Sequence, residues 1–235
     1  TTIHSCLKYL NQGDVNIMTV EDPIEYEVSG INQIEVDYGI GMDFVSSLRT
    51  ILRLSPDVIF IGEIRDAETA RVAIQASLTG HLVISTIHSR TSVGAIYRLL
   101  DLGIEKHILN YALRAILSQR LLRKVCEHCH KPYAPTKPEL DFYIKEKGSP
   151  PLALVHGEKC DFCHQTRYSG RVGTYELLEI NDLIRDFLLT NPSEVEFSAK
   201  IKEQGFKSIQ QVGLELVDNG TTSIREYIRT VYDAR

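Results

Sequence analysis

Four cysteines in two C-x-x-C pairs constrain the fold of this chain more than any other feature. Cys126 and Cys129 form the first pair, and Cys160 and Cys163 form the second. Two thiolates three positions apart bind one metal ion from a tight turn, and a second such turn completes the tetrahedron of a closed, structural zinc site. Three histidines adjoin these cysteines and are alternative ligands: His128, His130 and His164. Because four thiolates already fill the shell, we predict a Zn²⁺ site made by the cysteines alone; the alternative is reduced thiols or disulfides.

The composition is that of an ordinary globular protein rather than a nucleic-acid binder. The 235 residues carry a net charge of -5, whereas nucleic-acid-binding domains usually show a basic face. No apolar run approaches the ~18 residues that span a bilayer.

Thiols at metal-ligand spacing are typical of a reducing compartment, so we predict a cytoplasmic location. Cys6 is predicted to be a small core residue. Because the chain opens on Thr1 rather than Met, we expect a fragment or a processed form.

Alternating strand and helix patterns predict a parallel sheet with helices packed on its faces. Apolar runs at 16–20, 58–61 and 82–84 are typical of strands, the last continuing to 88. Helical periodicity covers 2–10, 42–54, 67–78, 91–102 and 106–122, and it returns at 183–189, 194–204, 209–218 and 224–232 after a proline-rich stretch. Asp66 and Gly80 are expected to bound the helix 67–78. The predicted regions are an α/β core over 1–125, a metal-bound subdomain over 126–175 and a helical C-terminal region over 176–235.

Polar side chains follow three of the predicted strands, at the end where open parallel sheets bind ligands. Glu21, Asp22 and Glu25 follow the first strand, Glu63 the second and His88 the third. A single carboxylate in such a position is usually a helix cap or part of a turn. Polar residues at the ends of three strands together predict a single crevice. Carboxylates that face a phosphate in this crevice would require a cation such as Mg²⁺ between them. Glu63 is the best candidate to polarise an attacking water.

The same strand ends belong to three longer motifs. These are Thr19-Val-Glu-Asp-Pro-Ile-Glu25, Pro56-Asp-Val-Ile-Phe-Ile-Gly-Glu-Ile-Arg-Asp66 and Thr79-Gly-His-Leu-Val-Ile-Ser-Thr-Ile-His88. They resemble the Asp box, Walker B and His box of the ATPases of type II secretion, type IV pilus assembly and DNA-uptake competence. The resemblance extends through Gln119-Arg-Leu-Leu122, both cysteine pairs and Gly170-Arg-Val-Gly-Thr-Tyr-Glu-Leu177. It implies part of a RecA-like P-loop NTPase core, with a zinc-bound subdomain and a helical C-terminal region.

The resemblance implies ATP and Mg²⁺ as cofactors, besides Zn²⁺, and a role for each motif residue. Glu63 would be the principal catalytic carboxylate. Glu21, Asp22 and Glu25 would help to position Mg²⁺ or the water. His81 and His88 would sense the γ-phosphate or couple it to the neighbouring subunit. His81 follows a glycine that ends a helix, so capping that turn is its alternative role.

Thr1 and Thr2 are similar to the end of a P-loop, so Thr1 would adjoin the bound nucleotide. The glycines, the lysine and the Mg²⁺-binding hydroxyl of the motif would precede residue 1, and we expect the chain by itself to bind and hydrolyse ATP poorly. Gly62 stands where a Walker B strand usually has Asp, and the Mg²⁺ role of that Asp is therefore not carried over.

Three arginines near the strand ends have roles that the sequence leaves open. Arg49 and Arg53 are four positions apart and would share a helix face. They would either reach a phosphate or a subunit boundary, or pair with nearby acids in solvent. Arg65 is expected to pair with Asp66 or Glu68 and to do nothing more.

The whole resemblance implies a homo-hexameric motor whose ATP hydrolysis drives secretion, pilus assembly or pseudopilus assembly. Its partners would be an inner-membrane platform protein and a cytoplasmic, membrane-associated adaptor. These would attach it peripherally to the inner face of the cell membrane, with no direct contact to nucleic acid. The rival interpretation is a non-enzymatic zinc-ribbon module for binding or docking. The net negative charge and the polar residues that follow three strands argue against this interpretation.

Overall fold

The computed structural model describes residues 1–232, which form two compact units. The first unit contains residues 1–89, 93–114 and 180–194, and the second contains residues 90–92, 115–179 and the described residues from 195 onward. This partition differs from the predicted boundaries at 125 and 175, because the strands that end at Val125 and Glu179 both belong to the second unit. The last three residues of the predicted 176–235 region lie outside the described residues.

Strands and helices alternate along the first half of the chain. The strands are β1 (Ile17–Glu21), β2 (Asn32–Glu35), β3 (Val58–Ile61), β4 (Leu82–Ser85), β5 (Ala115–Val125), β6 (His130–Tyr133), β7 (Leu154–Gly157) and β8 (Tyr168–Glu179). The helices are α1 (Thr2–Leu10), α2 (Phe44–Ile51), α3 (Ala67–Leu78), α4 (Ser92–Asp101), α5 (Lys106–Ala112), α6 (Lys137–Lys147), α7 (Asp182–Leu189), α8 (Glu194–Glu203), α9 (Ile209–Asp218) and α10 (Ile224–Tyr227). Short 3₁₀ and π-helical turns cover Tyr38–Ile40 and Ile228–Tyr232. Among residues 1–232, no helix is long and apolar enough to cross a membrane.

The first unit is built on a parallel sheet of four strands in the order β2-β1-β3-β4. Alternation along β1 and β3 sends successive side chains to opposite faces. One face of the sheet packs against α2 and α3 in a cluster that includes Val20, Leu48, Ile61 and Val72. The other face packs against Leu7 of α1. The sheet is therefore covered by helices on both faces, as predicted, and its end carries the polar residues.

The helix α3 runs from Ala67 to Leu78, as the sequence predicts. Its N-cap is Asp66, whose carboxylate accepts hydrogen bonds from the backbone N–H groups of Glu68 and Thr69, each at 2.9 Å. Gly80 follows the last turn with a φ of 105°, a conformation that favours glycine. Because Asp66 satisfies the first turn of α3, Glu63 is left available for another role.

The expected helix 106–122 is wrong beyond its first two turns. Helix α5 stops at Ala112, and the chain continues as β5, which pairs antiparallel with β8. The segment Ala-Ile-Leu-Ser-Gln-Arg-Leu-Leu at 115–122 suits a helix as well as a strand. Its conformation is decided by a partner more than 40 residues away in the chain.

The second unit has a hydrophobic core of its own. The buried members of this core are Leu122, Tyr143, Leu154, Ile209, Leu214, Val217, Ile224, Tyr227 and Val231. The segment 126–171, in which the sequence shows little periodicity, contributes β6, β7 and α6. Helix α6 begins with a capping box, in which Thr136 and Glu139 satisfy each other's backbone N–H groups.

Candidate active site and cysteine cluster

The polar strand ends predicted to converge do lie at one edge of the parallel sheet, which we call the carboxyl edge. The registers pair Val20 with Ile61 and Ile61 with Ser85. Glu21, Glu63 and the residues after Ser85 therefore leave neighbouring strands at the same level. Gly62 fits closely here, since a Cβ at this position would lie 3.3 Å from the Val20 carbonyl oxygen.

Glu21 is a buried carboxylate held through one of its oxygens. Its residue exposure is 3%. Oε1 accepts hydrogen bonds from the Thr19 hydroxyl at 2.7 Å and from the Gln33 amide at 2.9 Å. Oε2 lies 3.8 Å from Nε2 of His4, in the first turns of α1. The neutral donors hold Oε1 in place, while Oε2 faces α1.

Glu63 is held at the same edge by charged groups. Arg65 donates a hydrogen bond to Oε1, and His88 Nε2 lies 3.4 Å from Oε2. The Arg65 guanidinium holds the pKa of Glu63 below its usual value, against the upward effect of burial. Arg65 therefore pairs with Glu63, whereas the sequence predicted Asp66 or Glu68 as its partner.

A second carboxylate and a phenol lie near Arg65. The Tyr38 hydroxyl donates to Asp22 Oδ2 at 3.3 Å. Burial raises the pKa of Tyr38, and the Asp22 carboxylate raises it further. The hydrogen bond to Glu63 raises the pKa of Arg65, and the charge of Asp22 adds to this effect. Asp22 thus belongs to the electrostatic surroundings of Glu63, while Glu25 is exposed on the loop that follows.

The two predicted histidines lie at opposite edges of the sheet. His88 follows β4 at the carboxyl edge, beside Glu63, and its side chain is 93% exposed. His81 precedes β4, at the amino edge. There its Nδ1 lies 2.9 Å from the Ala76 carbonyl oxygen and 3.1 Å from the Thr79 hydroxyl. The structure places His81 in the helix-capping position, and it does not bring His81 together with the carboxylates.

The N-terminus of α1 also approaches the carboxyl edge, as the contact of His4 with Glu21 shows. Thr1 is the N-cap residue of α1, and its carbonyl oxygen accepts the backbone N–H of Ser5 at 3.0 Å. No acidic side chain lies in the first turn of this helix. The first turn of α1 itself therefore adds no negative charge at its positive dipole end.

The two other arginines lie outside this arrangement. Arg49 pairs with Glu68 at 3.0 Å, and both side chains are more than half exposed. This is the solvated pairing that the sequence offered as an alternative. Arg53 is exposed and lies past the end of α2, so the expected shared helix face with Arg49 is wrong.

Sequence reasoning missed the contributions of His4, Tyr38 and Arg65 to this edge. The signal for His4 was present: it lies three positions before Leu7, the buried residue of α1, and so shares its helix face. A polar residue on a buried face needs a partner. Tyr38 and Arg65 lie on loops whose paths the local sequence does not determine.

The four cysteines form one cluster in the second unit. Their sulfurs all lie within 4.8 Å of one another, with distances of 3.8 Å for Cys126–Cys160, 3.9 Å for Cys129–Cys163 and 3.7 Å for Cys160–Cys163. A disulfide requires ~2.05 Å. A tetrahedron with Zn–S bonds of ~2.3 Å has S···S edges of ~3.8 Å. The cluster can therefore hold a metal ion.

Backbone N–H groups surround the cysteine cluster. The Cys160 N–H donates to the sulfur of Cys163 at 3.4 Å. Burial acts to raise the pKa of the Cys163 thiol, but the N–H groups of Cys160 and Arg167 outweigh it and lower that pKa to about 6. Burial raises the pKa of Cys129 to about 11. A sulfur that accepts N–H groups is suited to remain a thiolate, the form that binds metal.

The histidines beside the cluster make other contacts. His128 packs its ring on Phe162, with centroids 3.9 Å apart, and His130 Nδ1 lies 2.9 Å from the Glu127 carbonyl oxygen. Cys6 is exposed, contrary to the prediction that it lies in the core. It directly precedes Leu7, and one helical step turns it away from the buried face.

Comparison with known proteins identifies the family. A family model described as "Type II/IV secretion system protein" matches residues 1–229. The chain belongs to this family. It is 41% identical over 234 residues to the type II secretion system ATPase E of Vibrio cholerae, covering 100% of this chain and 46% of that protein. It is 43% identical over 229 residues to the type II secretion system protein E of Pseudomonas aeruginosa, covering 97% and 45%. The chain thus spans about half the length of these relatives of the type II/IV secretion system family.

Two solved structures match nearly the whole chain. The crystal structure of the pilus retraction motor PilT with bound ADP matches with a TM-score of 0.70 and 29% identity, over 100% of this chain and 57% of that one. The ATPase DotB of Legionella pneumophila matches with a TM-score of 0.67 and 22% identity, over 96% and 55%, and this likeness concerns the fold. The predicted family and the predicted α/β fold with a parallel sheet are confirmed.

Proposed function

We propose that this chain contributes the hydrolytic centre of a motor ATPase that drives type II secretion, type IV pilus assembly or assembly of a DNA-uptake pseudopilus. The observation that carries the proposal is the pair of carboxylates at the carboxyl edge, Glu21 at the end of β1 and Glu63 after β3. Membership of the secretion family supports it. We also infer that the sheet is the later part of a RecA-like P-loop core.

Two features of the carboxyl edge fit a nucleotide with Mg²⁺. Glu63 Oε2 is a buried polar atom with no hydrogen-bond partner among residues 1–232, and the exposed His88 lies 3.4 Å from it. Buried groups of this kind are costly to leave unpaired, and ligand-binding sites are where such groups are found. The N-terminus of α1, whose first turn carries no acidic side chain, favours an anion at the same edge.

Each residue at the edge then receives a role. Bound ATP supplies the phosphoryl group, and Mg²⁺ supplies the positive charge that offsets its oxygens. Glu63 would orient and polarise the attacking water, and Glu21 would support that role from the neighbouring strand. The residues that would contact the nucleotide, the metal or its water shell are Thr1, Asp22, Glu25 and His88. His81 would cap α3, and its predicted coupling to a neighbouring subunit stays a prediction.

The cysteine cluster is proposed to hold a structural zinc ion. Four thiolates complete the shell, so no position remains for substrate or water. The ion would join the turn at Cys126–Cys129 to the turn at Cys160–Cys163 and so order one end of the second unit. Three S···S distances of 3.7–3.9 Å support a shared zinc ion over disulfides.

The assembly and location are proposed from the family alone. The whole protein would act as a homo-hexamer in the cytoplasm, at the inner face of the cell membrane. It would bind an inner-membrane platform protein and a membrane-associated adaptor. Direct contact with nucleic acid is not part of this proposal.

A single substitution tests the proposed reaction. In a protein that carries this chain at the length of its relatives, E63Q should lower kcat for Mg²⁺-dependent ATP hydrolysis about 100- to 10,000-fold, because the general-base contribution is lost. Nucleotide binding, measured by fluorescence of a labelled ATP analogue, should persist. E68Q is the matched control, since Glu68 is exposed and pairs with Arg49. Full activity of E63Q would remove Glu63 from its role, and an inactive wild type would favour the rival docking module.

A further inference from the structure

The contact between His4 and Glu21 is unusual because a buried imidazole nitrogen faces a carboxylate oxygen without a hydrogen bond. The His4 side chain is 14% exposed and the Glu21 side chain 4% exposed. His4 Nε2 has no hydrogen-bond partner among residues 1–232. It lies 3.8 Å from Glu21 Oε2, whereas an N–H···O bond requires ~2.7–3.2 Å.

The fold brings these two residues together for a simple reason. Ile17, Thr19 and Glu21 alternate along β1 and share the face that α1 covers. On α1, Leu7 packs against this face, and His4 lies almost one turn closer to the helix N-terminus. The imidazole thus lies against the last residue of β1, with its ring edge-on to Tyr26 at a centroid distance of 5.2 Å.

Glu21 can pivot unless its second oxygen is also held. Thr19 and Gln33 both donate to Oε1, so they fix one oxygen and leave rotation about it possible. A proton on His4 Nε2 would point a donor at Oε2, whereas an unprotonated Nε2 would point a lone pair at it. A movement of less than ~1 Å would convert the observed separation into a hydrogen bond.

We propose that His4 is a positioning residue for Glu21: its Nε2–H donates to Oε2 and fixes the carboxylate plane in the catalytic form of the site. This inference rests on the proposed ATPase function. His4 itself contacts neither substrate nor reacting atoms, and its effect on hydrolysis passes through Glu21. A carboxylate fixed by donors on both oxygens is oriented in advance of the reaction.

Two variants of His4 separate donation from packing. H4Q keeps an N–H donor but loses the ring, and H4F keeps a ring but loses the donor. In the full-length protein, H4F should lower kcat about 10- to 100-fold, the range expected for a lost hydrogen bond to a charged group. Its KM for ATP should change less than about twofold, because orientation rather than binding is lost. H4Q should restore kcat to within about threefold of wild type.

The double variant H4F/E21Q shows whether His4 acts through Glu21. If it does, H4F should add no further loss once Glu21 is replaced. Three results would each overturn the inference. These are an equal loss of kcat in H4Q and H4F, an additive loss of kcat in H4F/E21Q, and a wild-type kcat in H4F. Thermal melts of all variants identify those that have lost the fold. If H4F is among them, the kcat of H4Q is compared with that of wild type instead. If wild type is active and E63Q and E21Q are impaired while H4F is not, the ATPase proposal stands and only the role of His4 fails.

Discussion

Replacing Glu226 by Gln should lower the free energy of unfolding of the second unit by about 2–3 kcal/mol at pH 7 and by much less at pH 3. The Glu226 side chain is fully buried. Oε2 accepts Arg123 Nη2 at 2.7 Å, and Oε1 accepts Arg229 Nη2 at 2.7 Å. Burial acts to raise the pKa of this carboxyl, but the two guanidinium groups outweigh it and lower the pKa to about 2.

The magnitude follows from the pKa shift. A change from 4.5 in the unfolded chain to about 2 in the folded one corresponds to ~3.4 kcal/mol at ~1.36 kcal/mol per pKa unit. The Arg123 and Arg229 side chains are 45% and 61% exposed, so solvent screening reduces this to about 2–3 kcal/mol. Because the folded pKa is depressed, the stabilisation is complete above the unfolded pKa and is lost as the pH falls toward the folded pKa. At pH 3 roughly 40% of it remains.

Native-state hydrogen exchange of the β5 amides measures this effect within the second unit. The difference between wild type and E226Q cancels the other groups that titrate in both proteins. E203Q is the matched control, since Glu203 pairs with Lys200 in solvent, and it should change stability by less than ~0.5 kcal/mol. A difference of the same size at pH 7 and pH 3 would assign the effect to packing and refute the charge argument, and no difference at pH 7 would refute it as well.

Two further predictions concern the sites. The purified protein should contain one zinc ion per chain by elemental analysis, and C163S should lose this ion. C6S, which changes an exposed cysteine, should retain it. Retention of zinc in C163S would contradict the proposed ligand set. R65Q should raise the pKa of Glu63, because the guanidinium that lowers it is removed, so the acidic limb of the pH profile of kcat/KM should move to higher pH. R49Q, which changes an arginine paired with exposed Glu68, should leave the profile in place, and an unmoved profile in R65Q would dissociate this limb from Glu63.

The local sequence was sufficient to predict an element where its hydrophobic periodicity and the residues at its two ends indicate the same bounds. Helix α3 carries Asp66 before it and Gly80 after it, and the apolar strand β3 precedes it, so both elements were predicted with their bounds. The cysteine cluster was predictable for a related reason, since C-x-x-C spacing itself contains the geometry of a metal site. The interactions that determine α3 and each C-x-x-C turn are local in sequence, whereas the fold brings the two turns together across 34 residues.

The local sequence failed to predict an element where a partner distant in the chain determines its conformation. The strand β5 reads as a helix until its pairing with β8 is known. The location of His81 could have been deduced, because a residue that precedes a parallel strand lies at the amino edge, away from residues that follow the neighbouring strands. The partners of Arg65 and His4 could not, since they depend on how the loop after β3 and the helix α1 pack on the sheet.

The two carboxylates of the carboxyl edge differ in a way that supports their separate roles. Glu21 is held at one of its oxygens by neutral donors inside the fold. Glu63 is held by Arg65, whose side chain is 60% exposed and therefore able to leave. While this ion pair persists it lowers the pKa of Glu63 and makes it a weaker base. Departure of Arg65 would raise the basicity of Glu63, while Glu21 would keep its neutral donors. A pair of acids in such contrasting environments is the arrangement in which one orients and the other takes part in proton movement.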